Sequence, residues 1–211
     1  CGIIGIFGEN NPQDRAQKSL EKITHRGSSV FELEFFDNGA LGANRLPIVD
    51  RENGKQPKCN EDKTIFAALN GEVFNYKQLK QELIKKGHIF ETDADTEVLA
   101  QLYEEYGSKM VNMLDSEMFA FVIYDKKNNS IFAARDPLGI KPLYYAYDSV
   151  KQIYFASELK QLSFFDDIEK IYDFPKGNYF LDGKFKKYTE LKISNDLNDE
   201  KSTVKLLEQQ L

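Results

Sequence analysis

Cysteine is scarce in this sequence: two in 211 residues, Cys1 and Cys59. Two cysteines cannot build a disulfide scaffold, and no CxxC pair or Cys/His cluster supplies the donor set of a zinc site. Histidine is equally scarce, with only His25 and His88. A papain-like Cys/His enzyme fits poorly, because Cys1 lacks the flanking motif such enzymes carry. No apolar run approaches the roughly 20 residues that cross a bilayer. The start has no basic segment of the kind that opens a secretory signal. Positive charge is in deficit, 28 Lys and Arg against 34 Asp and Glu, a formal net charge of -6. With no basic stripe to offset that balance, nucleic-acid binding is not expected. The run KKNN at 126–129 reads as a solvated turn. No fixed-period repeat is present. These absences together lead us to expect a cytoplasmic protein with reduced thiols, off the membrane.

What is present is an aromatic-rich chain, 16 Phe and 11 Tyr, long enough for one sizeable core or two small ones. Residues 2–8 (GIIGIFG) read as a buried strand, and 12–27 as a helix with Pro12 in its first turn and Gly27 at its end. Two strands, 30–36 and 40–46, flank a DNG turn at 37–39. Residues 50–62 are loop-like, and 64–69 form a strand running into NGEVFN. Helices are expected over 75–87, capped by Asn75, over 95–107, and briefly over 108–114. Strands return at 118–125, 130–136, 143–148 and 153–158, then one helical turn at 158–162 and a hairpin over 174–188. That is about nine strands and about four helices, an arrangement of antiparallel sheets with helices packed outside. Residues 191–203 lose the aromatics and read as a linker, after which STVKLLEQQL restarts a helical pattern with Val204, Leu207 and Leu211 on one face. That restart reads either as a frayed terminal helix or as the front of a further domain.

Cys1 can carry chemistry by its position, or it can simply be the residue at which the sequence starts. A thiol of ordinary pKa about 8.5 shares one residue with an α-amine of pKa about 7.7–8.0. The amine can take the thiol proton and return it to a leaving amine, making nucleophile and base one residue. Acyl transfer also needs preorganised donors for an oxyanion. Asn70-Gly71 offers a side-chain amide and a backbone N–H, although Asn-Gly is equally a hairpin-turn signal. Arg45, in the apolar stretch NRLPIVD, suits a carboxylate; Glu72 and the acids of ETDADTEVL suit an ammonium. A structural ion pair for Arg45, and helix N-caps for Asp93 or Asp95, are alternatives. The DADTE run lacks the glycine and spacing of a calcium loop, so no metal is expected.

Several stretches then occur in order: CGIIGIFG, HRG, RLPIVD, LNGEVFNY, DADTE, DSEMFAFVIYD, ARDPLGIKPLYY and ASELKQL. Together they resemble the class II, N-terminal-nucleophile glutamine amidotransferase domain. The likeness is greatest to the glutaminase half of glutamine-dependent asparagine synthetase, and it covers residues 1 to about 190. The resemblance implies an α+β fold, a four-layer αββα sandwich of two antiparallel sheets. It implies that Cys1, freed of a preceding methionine, attacks the glutamine side-chain amide with its α-amine as base, giving a γ-glutamyl thioester and ammonia. Asn70 and Gly71 match the oxyanion pair, and Arg45 the residue that binds the glutamine α-carboxylate. Ile48 and Val49 match positions whose backbone helps hold the ligand, and Glu72 and Asp95 the acids at its α-amino end. The form LNGEVFN points to the asparagine-synthetase branch. Two departures stand out: HRG continues as SS rather than Pro-Asp, and RLPIVD replaces RLSIVD without the customary preceding His. Glutamine hydrolysis is expected to need no cofactor; ATP and magnesium belong to a synthetase domain whose SGGxDS phosphate loop does not occur in this sequence. Residues 1–190 are thus expected to form the glutaminase domain, and 191–211 a linker and the start of a helix leading to that synthetase domain. The expected partners are L-glutamine and a synthetase domain or subunit receiving ammonia; homo-oligomerisation is left open. The alternatives are the glutaminase of another amidotransferase pathway, a different N-terminal-nucleophile amidohydrolase, and a catalytically idle glutamine-binding regulatory subunit.

Overall fold

A computed structural model describes residues 1–27 and 31–190, together with 204, 205 and 208, where the backbone is helical. The linker expected over 191–203, and most of the helical restart after it, lie outside the described residues.

Strand β1, Gly2–Phe7, is buried on both faces, and its alternation sets the layering. Ile3 and Phe7 point one way, Ile4 and Ile6 the other. It lies at the middle of a six-stranded sheet with β2 (Glu32–Phe36), β3 (Gly39–Asn44), β8 (Tyr144–Tyr147), β9 (Ile153–Ala156) and β10 (Ile171–Asp173), in the order β10-β8-β9-β1-β3-β2. The second six-stranded sheet contains β4 (Lys58–Cys59), β5 (Ile65–Gly71), β6 (Phe119–Asp125), β7 (Ser130–Arg135), β11 (Asn178–Leu181) and β12 (Lys184–Lys187), in the order β12-β11-β7-β6-β5-β4. Every strand pairing is antiparallel.

The two inner faces interdigitate through Phe7, Leu41, Phe66, Val122, Phe155 and Phe180. Outside the first sheet, Ile4, Ile6 and Ala40 meet Ala16 and Leu20 of helix α1, Gln13–Glu21. Outside the second, Leu69, Phe121 and Ile123 meet Leu79 and Leu83 of α2 (Tyr76–Lys85) and Val98 and Leu102 of α3 (Asp95–Tyr106). The layers therefore run helix, sheet, sheet, helix, which is the αββα sandwich expected from the resemblance.

The elements differ from the expectation in detail. Among the described residues there are twelve strands rather than about nine; two that the sequence does not suggest are the two-residue β4, which falls in the expected loop, and the three-residue β10, too short to show a period. Helix α1 stops at Glu21 rather than running to Gly27, and a 3₁₀ turn, Thr24–Arg26, follows it. The Ile23 carbonyl is taken by Asn44 Nδ2 at 2.8 Å, from a strand 21 residues away. The short helix expected over 108–114 is a 3₁₀ turn, Gly107–Met113. Asn75 precedes α2 but does not cap it: its side chain donates to Met113 O (2.9 Å) and accepts from Asp115 N (3.1 Å). No helix among the described residues is long and apolar enough to cross a membrane.

Candidate active site

Cys1 enters the middle of the first sheet, with β1 held between β3 and β9. Its carbonyl accepts Arg26 Nε–H at 2.8 Å, and its Sγ lies 3.3 Å from the Leu46 N–H that donates to it. The α-amine is partly buried. Burial first, and then the Arg26 and Lys141 cations, lower its pKa from 8.0 to about 6, with Glu72 opposing them. Near neutral pH this amine is an unprotonated base beside its own thiol.

Asn70 and Gly71 end β5 in the facing sheet, paired with Ala120 and Phe119 of β6. They lie inside a strand ladder, so the hairpin-turn alternative for this dipeptide does not hold. Asn70 is 1% exposed, and its Nδ2 has no hydrogen-bond partner among the described residues. A buried donor left so costs about 1–3 kcal/mol, which a guest oxygen would recover. Gly71 has φ +141, and a Cβ there would lie 2.2 Å from Met118 O, so no side chain fits.

Glu72 and Asp95 form an acid pair. Burial first, and then the neighbouring Asp95, raise the Glu72 carboxyl to about 7, against the cations Lys141 and Arg45. Asp95, the first residue of α3, is 6% exposed. Burial raises its pKa too, opposed by the N–H groups of Val73 and Thr96 and by Arg45. Its Oδ2 accepts the Val73 N–H at 3.1 Å, tying the helix start to the segment after β5. Neither Asp93 nor Asp95 caps α3: the N-cap residue is Ala94, with no side-chain bond, and Asp93 pairs with Lys80 Nζ at 2.6 Å. The turn before the helix is built by buried Glu97, which accepts N–H bonds from Glu91 (2.7 Å) and Thr92 (2.9 Å) and the Thr92 hydroxyl.

Arg45 makes no ion pair among the described residues, so the structural salt-bridge alternative fails. Its guanidinium donates instead to backbone carbonyls of its own loop: Val49, Asp50 (3.0 Å) and Arg51 (3.4 Å). Burial lowers its pKa, while Asp95, Asp50 and Glu72 raise it. Val49 thus acts through its carbonyl on Arg45, whereas Ile48 in the same loop is 59% exposed.

Three contributors carried no assigned role in the sequence. Arg26 and Glu158 sit in the quoted stretches HRG and ASELKQL, and Lys141 in ARDPLGIKPLYY. Only the fold shows that the first two meet. Cys59 lies in β4, where burial pushes its thiol pKa up, away from nucleophilic use. Glu61, His88 and Glu104 bring three ligand-type atoms within 4.8 Å of one another. However, His88 Nδ1 faces Gln101 Oε1 at 2.7 Å, and the Gln101 amide is oriented by donation to Ile89 O at 3.0 Å. The imidazole therefore offers that cluster an N–H rather than a lone pair.

A thiol beside a depressed amine, a buried amide unpaired among the described residues and an Arg–acid set on two stacked antiparallel sheets are the groups that an N-terminal-nucleophile site calls for. The chain belongs to the glutamine amidotransferase domain family, whose profile matches residues 1–190. It is similar to asparagine synthetase [glutamine-hydrolyzing] 3 of Arabidopsis thaliana, 43% identical over 184 residues, 85% of this chain and 31% of that protein. It is also 40% identical over 168 residues to asparagine synthetase [glutamine-hydrolyzing] 1 of Bacillus subtilis, 77% of this chain and 26% of that one. The chain thus spans between about a quarter and a third of the length of these relatives. Among solved structures it resembles glutamine phosphoribosylpyrophosphate amidotransferase from B. subtilis, with a TM-score of 0.72 and 23% identity over 90% of this chain and 49% of that one. At that identity the likeness speaks for the fold alone.

Proposed function

We propose that this chain hydrolyses the side-chain amide of L-glutamine to glutamate and ammonia. The Cys1 α-amine takes the Sγ proton, and the thiolate attacks the amide carbon. Asn70 Nδ2 and the Gly71 N–H receive the oxyanion. The tetrahedral adduct collapses as the α-ammonium returns the proton to the leaving nitrogen, freeing ammonia and leaving a γ-glutamyl thioester. Water, deprotonated by the same amine, then attacks the thioester carbonyl; glutamate leaves and the thiol is restored. Arg45 takes the substrate carboxylate, and Glu72 with Asp95 its ammonium. No cofactor or metal enters these steps. By analogy with the asparagine synthetases it resembles, the ammonia passes to an ATP-dependent synthetase domain or subunit in the cytoplasm.

The observation that carries this reading is the orphaned Asn70 amide, buried in the sheet that faces the Cys1 sheet. The experiment is glutamate release from L-glutamine by the purified chain beside Cys1→Ser. Release by the native chain alone is expected. A folded native chain that releases none overturns the reading.

A further inference from the structure

The segment after β9 is tied to the reacting residue by two routes. Ser157 Oγ accepts the Ile3 N–H at 2.9 Å, and Gln161 Nε2 donates to Ile3 O at 3.2 Å, so the segment is clamped to β1 two residues from Cys1. Between them, Glu158 opens the 3₁₀ turn Leu159–Gln161, its own N–H donating to Gln161 Oε1 at 2.9 Å. Its carboxylate gathers three basic side chains: Arg26 Nη1 at 2.8 Å, His25 Nε2 at 2.9 Å and Lys160 Nζ at 3.1 Å. Arg26 then bridges, using Nη1 on Glu158 and Nε on the Cys1 carbonyl at 2.8 Å. The Cys1 carbonyl fixes where its Cα sits, and with it both the amine and the thiol.

We propose that Glu158 is a positioning residue of the reaction, holding Arg26 on the Cys1 carbonyl and so aiming the amine and thiol of Cys1 at the bound amide. This rests on the glutaminase reading. Burial opposes the Glu158 charge, but the hydrogen bonds from Arg26, Lys160 and His25 outweigh it and hold the carboxyl at about 2. It therefore stays ionised wherever the enzyme would work. The charges that face the Cys1 amine are Arg26 from the 3₁₀ turn, Lys141 from the loop after β7 and Glu72 just after β5. Of these, Arg26 is the one Glu158 anchors. Loosening Arg26 withdraws a cation from the amine, so the amine pKa rises from about 6 back towards 8.0. If Glu158 served only to cap its turn, removing it would cost stability and leave the amine untouched.

The test uses Glu158→Ala and Glu158→Gln in the whole chain, with folding checked by thermal unfolding. For Glu158→Ala, kcat is expected to fall roughly 10- to 100-fold with KM within about threefold, because the substrate ends are held elsewhere. The acid limb of kcat/KM should move up by about one pH unit. Glu158→Gln keeps an acceptor for Arg26 and should restore most of kcat. The Cys1 amine is also titrated directly by NMR on chain labelled with ¹⁵N-cysteine. A folded Glu158→Ala chain with unchanged amine pKa and unchanged kcat overturns the proposal. Should that variant not fold, Glu158→Asp, which draws the carboxylate back by one methylene, takes its place with the same expected directions. If the native chain hydrolyses no glutamine, the proposed function falls, while the amine titration still decides whether Glu158 positions Cys1.

Discussion

Asn70 is where stability and activity should part company. Its buried Nδ2 has no partner among the described residues, so the side chain is an energetic cost until a substrate oxygen accepts from it. In Asn70→Ala the unsatisfied donor disappears while a small cavity opens, and the two effects oppose each other. Unfolding free energy by urea should therefore stay within about 1 kcal/mol of the native chain, while kcat falls about 10²- to 10³-fold. Stability and activity lost together in that variant would make Asn70 a structural residue. Glu72 gives a second test. Its carboxyl titrates at about 7, so near neutral pH it is partly protonated before glutamine binds. An arriving ammonium favours the ionised form, pulling the folded pKa down, so glutamine binding should release protons near pH 7. Calorimetry of glutamine binding to Cys1→Ser in buffers of different ionisation enthalpy measures this. Proton uptake, or none, would remove Glu72 from the ammonium end. The sequence names Cys1, Arg45, Asn70, Gly71, Glu72 and Asp95, since each belongs to a short stretch with its own chemistry. It does not reveal that Arg45 rests on the carbonyls of its own loop, because backbone acceptors leave no mark in a sequence. Nor does it reveal the Arg26–Glu158 bridge, whose ends are 132 residues apart.

Among the elements, helix α3 places Asp95, and Glu97 places the helix. Glu97 is 3% exposed and satisfies three donors of the turn over 91 and 92. Glu97→Ala leaves those donors unpaired, at a cost of about 2–3 kcal/mol. It also frees the start of α3, so Asp95 loses its grip on the Val73 N–H. We expect a lowered Tm together with a raised KM for glutamine; an unchanged KM in the folded variant would show that Asp95 is placed by something else. Strands buried on both faces, such as β1, β6 and β7, were legible because they read as short, nearly continuous apolar runs. The two- and three-residue strands β4 and β10 exist only because a neighbour pairs with them. The early end of α1 was illegible for a related reason: Asn44 takes the carbonyl of Ile23 from outside the helix.

At the scale of the whole molecule, the question is how far the reaction can go on these two sheets. Amide hydrolysis needs a nucleophile, a base, an oxyanion site and water, and in the proposed function the Cys1–Asn70 end of the sandwich supplies the protein's share. Forming a new C–N bond on a carboxylate needs that carboxylate to be activated, and the sequence contains no SGGxDS phosphate loop to handle ATP. The chain also covers only about a third of its synthetase relatives. Given amide-¹⁵N glutamine, aspartate, ATP and magnesium, the chain should therefore deliver all of the label as ammonium, in step with glutamate. No pyrophosphate should form. Nitrogen NMR reads the product directly. Label in the side-chain amide of asparagine, appearing as fast as glutamate, would show that the sandwich itself carries acceptor chemistry. Ammonium alone would mean that hydrolysis and transfer are separable steps, with these two sheets sufficient for the first.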